Sequence, residues 1–386
     1  MECGMAFLDH VWGFAGYLLP FLFVITLVVF FHELGHYFIG RWCGVKVDAF
    51  SIGFGPEIWA YTRKNGERWR IAWIPLGGYV KFHGDPNGAS AGMSDEARDM
   101  PAEERNVTFF GQSVGKRAAI VAAGPIASFL LGALIFAASF FFEGRTVLAP
   151  VIETVRAGEA GEAAGLKSGD VVVSINGKSV VHWGEMQRIV QAAPDKTLAF
   201  VVQRGARDVA IDVTPRRREI QTSFGAHRVG LIGVEPSTRP ESLIRQQFGL
   251  FESLGKGAYE TWYVVERTGA YLVGLVAGRE SPDQITGPLR IAEISGTVAK
   301  SSFASLVYLA GIISVSIGLM NLLPIPMLDG GHLLYYALEA VKGRPLSDRS
   351  QELGFRLGLG VVMALMIFAT VNDVLHVGPK LLKLFG

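Results

Sequence analysis

The sequence predicts a multi-pass α-helical membrane protein with four transmembrane helices, a membrane-associated β-hairpin or sheet and one inserted extracytoplasmic α+β domain. Three observations predict it. Half of the 386 residues are hydrophobic and only 18% are charged, and the mean hydropathy of +0.33 is too high for an ordinary soluble enzyme of this length. Four segments are long and apolar enough to cross ~30 Å of hydrocarbon. Between the second and third, the pattern changes to short strands closed by turn residues, as in a soluble domain. Net charge is +1, with no basic stripe interleaved with aromatics, which argues against nucleic-acid binding. Cys3 and Cys43 lie at opposite ends of the first apolar segment, so neither a disulfide nor a cysteine metal site is expected. The N-terminus lacks a basic n-region and a small-residue cleavage site, unlike a removable signal peptide.

The first span, about residues 16–39, ends in His32-Glu33-Leu34-Gly35-His36. Two histidines four apart on a helix differ by ~40° of rotation and ~6 Å of rise, so both imidazoles can reach one metal ion. A glutamate beside the first can then act on a water at that ion, the logic of the HExxH metalloproteases. Ionisable groups in a span are costly and usually functional, so this motif reads as a site.

The second span covers about 118–142. The loop before it carries Arg41, Lys46, Arg63, Lys64, Arg68 and Arg70, and a second basic group, Lys342, Arg344 and Arg349, follows the third span. The positive-inside rule places both loops in the cytoplasm, and both termini and the region from 143 to 302 outside. Within the first loop, 50–56, 70–74 and 79–82 read as strands with Gly and Pro turns. So much apolar content suggests a hairpin within about 46–82 that dips back toward the span, under cover of protein or a water-filled cavity. A small cytoplasmic sheet is the alternative. Residues 93–106, acidic and alanine-rich, read as a mobile surface segment.

In the inserted domain, Ala164-Gly165-Leu166-Lys167-Ser168-Gly169-Asp170 followed by Ile175-Asn176-Gly177 resembles the signature of bacterial PDZ domains, in one copy. That resemblance implies a groove framed by 143–148, by Val151 and Ile152 at the start of the first strand, and by a helix at 183–192. The groove would take a C-terminal peptide as an added strand; the competing role is a steric filter with no ligand. The domain is expected to end at 218. Residues 219–302 then form a periplasmic linker, with a long amphipathic helix or helix pair over 242–277 that suits the membrane interface or packs on the PDZ domain.

The third span, about 303–323, runs into Asn321-Leu322-Leu323-Pro324-Ile325-Pro326-Met327-Leu328-Asp329-Gly330-Gly331-His332, and the fourth covers about 355–373. Two histidines and an open position leave one protein ligand missing. Asp329 is the strongest candidate, because the prolines break the span and the glycines permit the backbone to turn a carboxylate inward. His332 is a rival ligand, Asp373 a weaker one nearer the far interface, and Glu339 reads as a helix cap. Asn321 can steady a developing oxyanion or make an interhelical hydrogen bond.

HELGH in a first span, SIGFGP at 51–56, IPLGGYVKF at 74–82, AAGP at 122–125, the PDZ-like domain and NLLPIPMLDGGH occur in an order that resembles the site-2 protease family, and most closely its bacterial regulator of sigma-E protease branch. The resemblance implies one Zn²⁺ on His32, His36 and Asp329, Glu33 as acid and base, Asn321 assisting, and a bacterial inner membrane location with the active site near the cytoplasmic face. It also implies that the re-entrant sheet clamps an unwound substrate strand, for which Ser51, Ile52, Gly53, Phe54 and Gly55 are the candidates. The expected substrates are transmembrane segments of single-pass proteins, such as a pre-cleaved anti-sigma factor, or remnant signal peptides. Known enterobacterial members carry two PDZ domains and this chain one. A membrane zinc carrier and a proteolytically inactive PDZ receptor or chaperone are the other classes; neither explains Glu33 beside the ligands.

Overall fold

The computed structural model describes residues 2–85, 100–222, 225–282 and 285–385. Four helices in it are long and apolar enough to cross a membrane, at Ala15–Trp42, Val114–Phe142, Phe303–Asn321 and Arg349–Leu375, each within a few residues of a span read from the sequence. The chain forms two compact units, one of residues 1–139 with 250–386 and one of 140–249.

The first unit opens with α1 (Glu2–Trp42), which carries the HELGH motif. Strands β1 (Val47–Thr62) and β2 (Arg68–Phe82) follow. Each bends so that the pair makes four ribs in the order 57–62, 68–72, 49–52, 78–82, with the outer pairs antiparallel and 68–72 running alongside 49–52 in the same direction. Positive φ at Gly53, Gly55 and Gly77 makes the bends possible, and a Cβ on Gly53 would press on the carbonyls of Ile74 and Ala72. Phe50, buried in this sheet, stacks on Trp69 at 4.4 Å. Of the expected mobile segment, 93–99 lies outside the described residues, and Ala102–Arg105 forms a single helical turn, α2.

The second span is α3 (Val114–Phe142), with Pro125 inside it. After the inserted unit come α6 (Leu250–Val276), α7 (Pro288–Ser301), α8 (Phe303–Asn321), α9 (Asp329–Lys342) and α10 (Asp348–Phe385). Helix α6 packs on α3 and α8: Gly257 leaves room for the backbone at Ala133 and Ala137, and the Tyr308 hydroxyl donates to Glu260 at 2.9 Å.

The inserted unit is an α+β module with its own core around Ile152, Phe200, Val202, Met186 and Val213. Its helices are α4 (Ala160–Ala164) and α5 (Trp183–Gln191). β3 (Val171–Ile175), β4 (Lys178–Ser179), β5 (Leu198–Arg204) and β6 (Arg207–Val213) form a sheet in the order β4-β3-β5-β6. Buried Asp170 accepts two 2.7 Å bonds from Arg204. Burial would raise its carboxyl, but the guanidinium and the Lys167 backbone N–H hold it below the usual range.

The unit does not stop at 218. The strands Arg216–Thr222 and Gly225–Leu231 pair next, and then Val234–Pro236 pairs with Ile152–Val155 and Leu243–Gln246 with Arg145–Leu148. These late strands return to the start of the domain, so the amphipathic helix begins at Leu250 rather than near 242. The expected groove residues are also corrected. Ile152 is fully buried in the core, and both backbone edges of its strand are occupied. Ile152 N–H donates to the Asp170 carbonyl on one side, and Ser237 N–H donates to the Val151 carbonyl on the other. The strand at 145–148 is paired with 243–246 along one edge and faces α5.

Candidate metal centre

Helix α1 puts His32 and His36 one turn apart, and the turn after α8 brings Asp329 to them. The three donor atoms form a closed triangle. His32 Nε2 and His36 Nε2 are 3.3 Å apart, and Asp329 Oδ2 is 3.2 Å from the first and 3.6 Å from the second. Tetrahedral coordination with bonds of ~2.0–2.1 Å separates its ligands by ~3.3–3.4 Å, so two nitrogens and one carboxylate oxygen match a zinc face. Asp329 Oδ2 is buried without a hydrogen-bond partner, a cost that a cation removes.

The outer ring nitrogens explain why the inner ones converge. His36 Nδ1 lies 2.9 Å from the Ile120 carbonyl, which can only accept, so Nδ1 carries the hydrogen and Nε2 offers its lone pair. His32 Nδ1 lies 3.0 Å from the buried Ser128 hydroxyl. Ile120, Gly124 and Ser128 recur every fourth residue and form one stripe on α3. Gly124 is the gap in that stripe: a Cβ there would collide with His36 Nε2 and sit 2.8 Å from His32 Nε2. These three residues carried only a weak sequence signal, a lone serine and a glycine within an apolar run.

The approach to Asp329 is built from constrained backbone. Met327 adopts φ +84°, rare for a side-chain-bearing residue. A Cβ on Gly330 would strike the Leu322 and Leu323 carbonyls, and one on Gly331 the Ile325 carbonyl. Arg117 and Glu339, a largely buried ion pair at 2.7 Å, tie α9 to α3; Glu339 is therefore not a helix cap.

A cavity of about 1100 Å³ opens on the triangle, lined by Glu33, Gly78, Asn321 and His332 among others, mostly apolar. Neither Glu33 nor Asn321 has a hydrogen-bond partner among the described residues, so Asn321 does not make the interhelical bond that was its alternative. Gly78 abuts Glu33: a Cβ there would lie 2.9 Å from Glu33 Cγ. His332 lies outside the three-residue ligand group. Asp373 is fully buried and accepts backbone N–H bonds from Gly287, Leu289 and Arg290 at 2.9, 2.9 and 3.1 Å. It caps α7 and lies outside the three-residue ligand group.

The strand expected to grip a substrate is also corrected. Ser51 pairs with both Tyr79 and Arg70, and Ile52 with both Gly78 and Ile71, so their rib is interior and has no free edge. Gly53 is buried behind the bend and Gly55 exposed beyond it, and only Phe54 of the five reaches the cavity wall. The rib that ends the sheet beside Glu33 is 78–82, which lines the cavity throughout.

The profile of peptidase family M50 matches residues 20–365 of the chain. A protein of Agrobacterium fabrum, named for its expected zinc metalloprotease activity, is 44% identical over 360 residues, spanning 93% of this chain and 96% of its own length. Metalloprotease MmpA of Caulobacter vibrioides is 37% identical over 386 residues, spanning 94% and 96%. A zinc metalloprotease homologue from Vibrio cholerae is 30% identical over 464 residues, spanning 95% and 99%.

Proposed function

The chain belongs to peptidase family M50, and on that premise we propose that it is an intramembrane zinc metalloprotease, which hydrolyses a peptide bond in the transmembrane segment of single-pass membrane proteins or remnant signal peptides. The observation that carries the reading is the His32–His36–Asp329 triangle with Glu33 beside it, its histidines on a helix of membrane-spanning character and its aspartate just beyond another, open to one apolar cavity. When bound there, zinc supplies Lewis acidity to a carbonyl oxygen and to water. Glu33 takes the proton of the attacking water and delivers it to the leaving amine. Asn321 donates to the substrate backbone.

A helical substrate must unwind before its amide is exposed. The free rib at 78–82 supports holding the unwound segment by strand addition, next to Glu33. The inserted unit is a PDZ domain whose open position is the 145–148 strand facing α5, where a C-terminal peptide or a steric filter would act. In this reading the basic loops face the cytoplasm of a bacterial inner membrane, and both termini and the inserted unit face the periplasm. The protein is then a single-PDZ form of the regulator of sigma-E protease branch, acting on pre-cleaved anti-sigma factors.

The test is cleavage of a single-span substrate by the purified protein in detergent, with and without a chelator. Glu33→Gln is expected to keep one zinc per chain and lose activity by ~10³-fold or more. Retained cleavage in that variant, or indifference to the chelator, would falsify the assignment.

A further inference from the structure

The lining of the catalytic cavity includes a histidine that neither the ligand set nor the proton transfers employ. His332 stands in the first turn of α9, three residues beyond Asp329, so both project from the same face of the helix. It lines the same cavity as Glu33, Asn321 and the metal triangle. It is not one of the converging ligands. Its ring meets Tyr335 edge-on at a centroid distance of 6.4 Å, and neither ring nitrogen has a hydrogen-bond partner among the described residues. Largely apolar walls make an idle imidazole expensive there, whereas a structural histidine would be satisfied by a neighbour.

The charges already present define what this group can add. Amide hydrolysis moves a carbonyl π pair onto oxygen, and that developing charge appears in a site that already holds the Asp329 and Glu33 carboxylates. A hydrogen-bond donor fixed before the reaction lowers the barrier most where water is scarce. Glu33 cannot serve, because it must accept a proton. An imidazole N–H three residues along α9 from Asp329 is placed for the task.

We propose that His332 is a catalytic residue that donates a ring N–H hydrogen bond to the scissile carbonyl oxygen as it becomes an oxyanion. The inference rests on the protease reading above. In the step, the bond from water oxygen to the carbonyl carbon forms and the carbonyl π pair moves to oxygen. The water proton goes to Glu33 and then to the amide nitrogen as the C–N bond breaks. His332 keeps its proton throughout. Asn321, which lines the same cavity, is a second donor for that carbonyl.

The experiment uses the full chain in detergent with a labelled single-span peptide. Zinc content is measured by mass spectrometry, and kcat and KM are measured separately for wild type, Glu33→Gln, His332→Ala and His332→Gln. His332→Ala is expected to hold one zinc per chain and to lose ~10²-fold in kcat with KM changed by less than about threefold. His332→Gln, which keeps an N–H donor, is expected to recover ~10-fold of that loss. Loss of zinc from His332→Ala, a kcat within about threefold of wild type, a loss confined to KM, or no recovery in His332→Gln would each overturn the role. Failure of the protease reading looks different: wild type insensitive to chelator, or Glu33→Gln as active as wild type, whatever the His332 variants do.

Discussion

A serine in the middle of a membrane span sets the pose of a histidine on another. Ser128 is fully buried in α3, its hydroxyl 3.0 Å from His32 Nδ1, and its own carbonyl accepts a 2.9 Å bond from the Ser314 hydroxyl of α8. Partners of this kind orient a ligand ring and are typically worth 10–100-fold in metal affinity. Ser128→Ala is therefore expected to weaken zinc binding by ~10-fold or more without unfolding the protein, as read by competition with a chelating indicator. Unchanged affinity would mean that the hydroxyl only fills space. The contrast with the ligands shows what a sequence exposes at this scale. His32, Glu33 and His36 announce themselves because their spacing is local, and Asp329 because prolines and glycines break a span beside it. Ser128 and Gly124 matter only through a stripe that faces a helix some ninety residues earlier. The substrate residues were placed on 51–55 because a strand is visible in the sequence while the pairing of its two edges is not.

At the scale of elements, the four spans were legible because length and hydropathy decide them, and the late strands of the inserted unit were not, because their partners lie some eighty to a hundred residues upstream. The same non-local logic governs α7. Its first turn presents backbone N–H groups with no intrahelical partner, and Asp373, reaching across from α10, accepts three of them. Asn372 adds a 2.9 Å bond to the Ile285 carbonyl. Pro288 and Ile291 of this capped turn and Val362 and Met366 of α10 form part of the cavity wall, so the cap fixes the wall as well as the helix. Asp373→Ala leaves buried donors unpaired, at a cost of ~1.5–3 kcal/mol. Amides at 287–292 should then exchange ~10- to 100-fold faster in hydrogen-exchange mass spectrometry, with Asp373→Asn intermediate. Equal protection in all three proteins would show that packing against α1 alone holds the turn.

Across the whole molecule, the metal site joins the two ends of the chain. His32 and His36 belong to the first span and Asp329 to the segment after the third, with the entire inserted unit between them in sequence. An ion on these ligands closes a very long loop, and binding energy that exists only in the folded state adds to folding stability. At metal ~10³ times above its dissociation constant the gain is ~4 kcal/mol. The inserted unit, by contrast, takes its stability from its own buried cluster and the Asp170–Arg204 pair, with no metal ligand among its described residues. Removing zinc with a chelator is therefore expected to have a divided effect. Hydrogen exchange should accelerate around 31–37 and 327–333, where the ligands sit, and melting of the membrane unit should move to lower temperature. Strands 171–175 and 198–204 should keep their protection. Restoring zinc should reverse the first change, and Asp329→Ala should reproduce it without chelator. Loss of protection spread equally over both units would instead mean that they unfold as one, and that the ion stabilises the chain through more than its three ligands.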